Sequence, residues 1–395
     1  MVDTTALSPD TPQNRIVFVD VLRGLTMWMM VFVNDLAGVR SAPAWMKHVS
    51  ASTDGMTFVD LVFPAFLFVM GMSIPLALGK RLFSPAKRIR AWFHVTVRTL
   101  SLLVIGVLMV NSPGREAMGW PSGLWKLLVF ACFFLGWHSI PAATPGRVYL
   151  SRILRACGFL GLAILAAMFR NSDGGWLAIQ WWGILGIIGW AYLIATVVFA
   201  LTGGRHTPLV GSFAILLLVY VAMRERLFML PFVNGGTIGA HPAIAVAGVI
   251  AGTLLTSGKR SSPAVIRWAL VYTAFLAAAA WLVRPWYGIS KIYATPSWCL
   301  WASAIFCFAW IAIYYAVDVR GMRFGTRFFG AVGKNALFAY LLSSIFYYVF
   351  SVAHIDYWAL AKPGFAAGLA RAVLYATAIS GISAWAGSAK IRLKL

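Results

Sequence analysis

The sequence predicts an all-α fold, a polytopic transmembrane helical bundle of about 10–12 spans with both termini in the cytoplasm. Three observations carry this expectation. Of 395 residues, 61% are hydrophobic and only 11% are charged, whereas soluble domains run about 45–50% apolar and about 25% charged. Mean hydropathy is +0.81. The chain also holds 33 Lys+Arg against 11 Asp+Glu, a formal net charge of +22. Those basic residues lie in short gaps between long apolar segments, so the excess reports membrane topology and not nucleic-acid binding. Composition excludes disorder, a collagen-like fibre and a disulfide scaffold.

A hydrocarbon core about 30 Å thick takes about 20 apolar helical residues to cross. Twelve segments meet that need: 16–36, 58–79, 92–110, 124–140, 149–169, 181–201, 208–223, 240–256, 264–283, 297–317, 328–350 and 364–387. The seventh and eighth are short, so ten or eleven spans also fit. Residues 1–14 are polar, lack a basic start and lead into no small-residue cleavage site, which predicts a cytoplasmic tail and not a signal peptide. Residues 15–389 then form a single membrane domain and 390–395 a basic cytoplasmic tail. Cys132, Cys157, Cys299 and Cys307 all fall inside apolar segments and are expected as small packing residues.

Loop charges set the orientation. The gap after the second span carries Lys80, Arg81, Lys87, Arg88 and Arg90; later even-numbered gaps carry Arg147, Arg152 and Arg155, then Arg205, then Lys259, Arg260 and Arg267, then Arg320, Arg323 and Arg327. The end of the chain adds Lys390, Arg392 and Lys394. Odd-numbered gaps hold few cations, such as Arg40 with Lys47, or Arg284 with Lys291. Basic loops stay in the cytoplasm, so residues 37–57 are expected on the opposite side.

Carboxylates inside spans are costly and therefore functional candidates. Asp20 and Arg23, three residues apart, share a helix face. They form either an intrahelical ion pair, with Gly24 admitting a neighbouring helix, or a site where Arg23 meets an anionic cofactor group oriented by Asp20. Asn34 and Asp35 end the first span; Asp35 is expected to be solvated, while the Asn34 amide lies at pocket depth. His48 is the histidine of the 37–57 loop, held at the interface by Trp45 and Met46, with Asp60 opening the next span. A carboxylate beside an imidazole fixes its tautomer and raises its basicity, as a general base requires. Asp60 could equally cap its own helix, with Pro64 tolerated in the first turn, or hold a substrate ammonium. Trp176, Trp181, Trp182, Trp281 and Trp286 fit interfacial belts. No Gly-rich phosphate loop, zinc-ligand spacing or Gly-x-Ser-x-Gly elbow occurs, and no metal is expected.

Val19-Asp20-Val21-Leu22-Arg23-Gly24-Leu25, then Met30-Val31-Phe32-Val33-Asn34, Lys47-His48, Gly55-Met56-Thr57-Phe58-Val59-Asp60-Leu61-Val62-Phe63-Pro64 and Phe68-Val69-Met70-Gly71-Met72-Ser73-Ile74 resemble the start of the heparan-α-glucosaminide N-acetyltransferase family of transmembrane acyltransferases. Late in the chain, Ser290-Lys291 with Thr295-Pro296-Ser297, Val317-Asp318-Val319-Arg320-Gly321 and Gly333-Lys334-Asn335-Ala336-Leu337 resemble its C-terminal signatures. The resemblance covers the first 80 residues closely and 288–345 well; between them it rests mainly on hydropathy.

The resemblance implies a short, prokaryotic-type member in the bacterial cytoplasmic membrane. It would draw acetyl-CoA from the cytoplasm and acetylate an amino or hydroxyl group of a sugar or envelope glycan on the far side. His48 is then catalytic as general base or transient acyl carrier, with Asp60 and Asn34 in the same site. Asp20, Arg23, Ser73, Lys334 and Asn335 would bind the coenzyme, and Lys291, Ser297 and Trp45 the acceptor. The partners implied are acetyl-CoA, the glycan, the lipid bilayer and a second copy in a homodimer, with no nucleic acid. A secondary transporter, with its charged residues in the first helix hairpin, is the alternative.

Overall fold

The computed structural model describes residues 17–114, 118–139, 144–256, 262–357, 359 and 364–395. The polar start of the chain, Glu116, Lys259 and Arg260 lie outside the described residues. Apolar segments without water must close their backbone hydrogen bonds internally, which selects helix. The helices, in order, are α1 (Val17–Leu36), α2 (Val62–Leu82), α3 (Pro85–Val110), α4 (Ser122–Trp137), α5 (Pro145–Met168), α6 (Ile184–Thr202), α7 (His206–Arg224), α8 (His241–Thr256), α9 (Ser262–Tyr287), α10 (Pro296–Tyr314), α11 (Thr326–Lys334), α12 (Ala336–Val352) and α13 (Phe365–Ser388). Among the described residues, ten helices are long and apolar enough to cross a membrane, or eleven if α11 and α12 make one bent span. The protein is an integral multi-pass membrane protein of all-α architecture.

Two departures from the expected spans have physical causes. The short segment is the fourth, not the seventh or eighth: α4 has 16 residues, while α7 has 19 and the eighth segment runs over Gly236–Thr256, 21 residues, through a π-helical turn. At its far end α4 gives way to β1 (His138–Ser139), which pairs antiparallel with β2 (Arg392–Leu393). Residues 390–395, expected as a tail, are thereby folded back against the bundle. The buried Lys126 of α4 donates to the carbonyls of Leu108, Met109 and Asn111 and so satisfies the end of α3.

The second departure is the eleventh segment, which breaks at Asn335 with a bend of 82° between α11 and α12. The Asn335 amide donates to the carbonyls of Ser383 and Ile391, and its own carbonyl accepts from the Ser383 hydroxyl. Neighbouring polar groups thus take up the backbone groups that the break exposes, the condition for non-helical backbone at membrane depth.

α8 is buried along nearly its whole length and forms the axis of the bundle. It crosses α2 so closely that a methyl group at Gly71 would strike the carbonyl of Ala245, and one at Gly248 that of Phe68. α1 and α11 cross the same way at Gly24 and Gly333, the small-residue packing by which helices associate in lipid. Gly24 therefore does admit a neighbouring helix. Among the described residues the four cysteines are free, Cys299 and Cys307 buried, Cys132 partly so and Cys157 exposed.

Candidate active site

The segment between α1 and α2 is too short to fold alone and is organised by its own polar groups. A single 3-10 turn, Phe58–Leu61, opens the second span. Asp60 sits at its third position, where one carboxylate oxygen accepts from the backbone N–H groups of Thr57 and Val49 at 3.1 and 3.2 Å. The other oxygen lies 2.7 Å from His48 Nδ1. Asp60 is 1% exposed, so nearly all of its hydrogen-bonding capacity is spent on these partners. The cap and the imidazole partner, alternatives in the sequence, coexist in one side chain.

Lys291 approaches from the α9–α10 connection, its Nζ 3.1 Å from His48 Nδ1, 3.3 Å from Nε2 and 3.8 Å from Asp60 Oδ1. With the Nδ1 proton directed at Asp60, the Lys291 ammonium can donate only to Nε2. Burial holds the Lys291 ammonium below the ordinary lysine range, against the opposing attraction of Asp60. Asp54 locks this connection to the first loop. It accepts from the Ile289 N–H at 2.6 Å and from Arg284 Nε at 3.0 Å, and Gly55 N–H donates to the Ile289 carbonyl. The Ile289 N–H is the main cause that holds the Asp54 carboxyl below the usual carboxylate value; burial opposes it, and Arg284 adds to the lowering.

His48 and Lys291 line a cavity of about 920 Å³ together with Asn34, Trp181, Trp182 and Arg224. Within Met30–Leu36 every residue except Asn34 is buried, so the one carboxamide of that run is the one side chain that opens outward. A second cavity of about 490 Å³ lies toward the opposite end of the bundle, lined by Arg23, Ser73, Arg81, Arg98 and Lys334, with no Asp or Glu among its described lining residues. Both cavities are lined by Met30 and Ile184. Arg23 is aimed by a 2.7 Å donation to the Ser73 hydroxyl and a 3.4 Å ion pair with Asp20. Asp20 itself is buried and does not line the cavity.

Other candidates fall differently. Asn335 touches the second cavity, but its amide is committed at the α11–α12 break. Ser297 is fully buried, donates to the carbonyls of Tyr287 and Gly288, and is no part of the His48 cavity lining. Trp45 stands 63% exposed, its ring 5.9 Å from that of Phe58, also outside that lining.

Asp35, expected to be solvated, is instead completely buried. It accepts from Arg371 Nε at 3.0 Å and from the hydroxyls of Tyr347 and Tyr357 at 2.8 and 2.7 Å. Solvation was the wrong inference because it treated a helix end as an exposed end; α12 and α13 bring these donors over it. Arg371 lies inside the last span, where a cation marks a site as a carboxylate does. Asp54 carried no local signal, because its partners lie 230 and 235 positions away.

Two curated relatives share part of this chain. The heparan-alpha-glucosaminide N-acetyltransferase of Mus musculus is 39% identical over 99 residues, and that of Homo sapiens 39% identical over 98 residues. Each match covers 25% of this chain and 14% of the relative's own length. Residues 15–230, more than half of the chain, match the family described as a domain of unknown function, DUF5009, and the chain belongs to that family.

Proposed function

We propose that the protein is a transmembrane acetyltransferase, moving an acetyl group from cytoplasmic acetyl-CoA to an amino or hydroxyl group of a sugar on the opposite side. The observation that carries this reading is the pair of cavities. One has a cationic lining with no Asp or Glu side chain among its described residues; the other holds an imidazole bonded to a buried carboxylate; Met30 and Ile184 border both. The partial identity to two acetyltransferases supports the same reaction class.

The cations of the second cavity suit the coenzyme's phosphates, and its apolar wall suits the pantetheine arm. Acetyl-CoA supplies an activated thioester carbonyl. Asn34 donates a hydrogen bond toward that carbonyl as negative charge develops there. Asp60 keeps the His48 proton on Nδ1, so Nε2 is the base, and once Lys291 turns from Nε2 toward the acceptor that nitrogen takes the proton of the acceptor's amino or hydroxyl group. The new C–N or C–O bond then forms as the C–S bond breaks, and His48 returns the proton to the leaving thiolate. As an acyl carrier, His48 would use the same Nε2.

The test is acetyl transfer by the full chain in nanodiscs, with an amino-sugar acceptor. His48→Ala is expected to lower kcat by about 10²–10⁴-fold while acetyl-CoA binding persists. Full activity in a folded His48→Ala protein would overturn the assignment. Radiolabel retained on the wild-type protein without acceptor would identify the acyl-carrier route. Solute flux with no acetyl-CoA requirement would favour a carrier instead.

A further inference from the structure

The His48 end of the bundle is where basic residues should be scarce, so each cation there needs an account. Lys47 donates to the Arg40 carbonyl, Arg170 to those of Ala167 and Phe169, and Arg284 to Asp54. Arg40 is exposed on the same loop, while Arg224, Arg226 and Lys291, the last 3.8 Å from the buried Asp60, line the cavity beside His48, and no Asp or Glu does. Arg224 stacks over the Tyr293 ring at 5.0 Å, which leaves its charge in place. The nearby Glu225 carboxylate accepts from the Tyr287 hydroxyl and is no part of the lining. A wall of one sign selects a ligand of the other.

The chain leaving that wall is apolar. Leu227-Phe228-Met229-Leu230-Pro231-Phe232 follows Arg226 directly, with Leu227 78%, Met229 74% and Phe232 75% exposed. Arg226 and Phe232, at its two ends, both adopt left-handed backbone conformations, with φ of 58° and 66°. A bulky residue at positive φ persists only where the surroundings impose it. In water such a segment would fold inward; its exposure, like that of Trp176 and Trp182, suits a lipid interface. Met229 belongs both to this apolar edge and to the cavity lining. The cavity mouth is therefore cationic inside and bordered by an exposed apolar edge outside.

We propose that the acceptor is an anionic glycolipid, a saccharide joined to a lipid tail through a phosphate or similar acidic group. It enters laterally past Met229, with its charge on Arg224, Arg226 and Lys291 and its tail along Leu227–Phe232. The proposal rests on the acetyl-transfer reading for its reacting group, but its recognition chemistry is testable without transfer.

The experiment measures binding to the full chain in nanodiscs, with no acetyl-CoA present, for three probes: glucosamine 1-phosphate, octyl glucosaminide and glucosamine linked through diphosphate to farnesol. The farnesyl probe is expected to bind at least about tenfold more tightly than either other. Arg224→Gln with Arg226→Gln should cut its advantage over octyl glucosaminide below about threefold, and Leu227→Ser with Phe232→Ser its advantage over glucosamine 1-phosphate by as much. Equal affinity for the farnesyl probe and glucosamine 1-phosphate would remove the lipid from the proposal. Equal affinity for the farnesyl and octyl probes would remove the charge, and no binding of the farnesyl probe would end it. Adding acetyl-CoA then separates the two ideas: a bound but unacetylated farnesyl probe, with no acetylated product from any acceptor, counts against the acetyl-transfer reading and leaves the acceptor class standing.

Discussion

At the residue scale, Asp60 serves two masters, and one substitution separates them. An asparagine oxygen can accept the same two N–H bonds that Asp60 accepts through one oxygen, so Asp60→Asn should keep the bonds from Thr57 and Val49 and change the melting temperature little. It carries no charge to fix the His48 proton on Nδ1 or to stabilise a protonated ring. Acetyl transfer should therefore fall by about 10³–10⁴-fold, read as kcat at unchanged acetyl-CoA affinity. Asp54 is the contrasting case, a carboxylate that positions Lys291 through a loop and touches no reacting atom. Its pair with Arg284 is half-exposed, so Asp54→Asn should cost only about 0.5 kcal/mol of stability, with a larger loss in kcat/KM. Its pH dependence has a definite sign. The folded-state pKa lies below the ordinary value of 3.8, so the contribution is complete above that value and is lost as pH falls through the folded one. The melting-temperature difference between wild type and Asp54→Asn should hold steady from neutrality down to mild acid and close below about pH 4.

At the scale of elements, the anchor is the meeting of α1, α12 and α13 around Asp35. The Asp35–Arg371 pair is dry on both sides, with side-chain exposures of 0% and 6%, so breaking it strands a charge. Arg371→Met should destabilise the protein by about 3–5 kcal/mol, while Asp35→Leu with Arg371→Met should recover most of that loss. Thermal unfolding in nanodiscs checks both; a double variant no better than the single one would show that the pair itself is not the source. Asn34 precedes Asp35 directly, so the clamp also holds the carboxamide that opens on the cavity. This is where sequence legibility stopped. Hydropathy located the long apolar helices, because burial in lipid is a local property of about 20 residues, but it missed that the fourth segment is short and the eleventh is broken. The His48–Asp60 pair was legible because both residues sit in one loop, twelve positions apart. The Asp35–Arg371 clamp, the Asp54–Ile289 lock and the break at Asn335 arise from helices 48 to 336 positions apart. No window of the sequence contains both partners.

At the scale of the whole molecule, the two cavities matter only if they face opposite compartments. The even-numbered loops carry most of the basic charge, and the cavity bordered by Arg23, Arg81 and Lys334 sits at their end of the bundle; the His48 cavity sits at the other. Arg81 and Lys394 belong both to the basic loops and chain end and to the Arg23 cavity, so the charges that would orient the chain on insertion overlap in part with those that suit a phosphorylated donor. Orientation can be tested apart from chemistry. With Cys132, Cys157, Cys299 and Cys307 replaced, a cysteine is introduced at Ser52 or at Ala86, exposed positions at opposite ends of α2. In intact bacterial cells a membrane-impermeant maleimide should label Ser52→Cys at once, and Ala86→Cys only after permeabilisation. The reverse pattern would put the imidazole on the acetyl-CoA side, turn Arg23 and Lys334 away from it, and leave the transmembrane route without a donor.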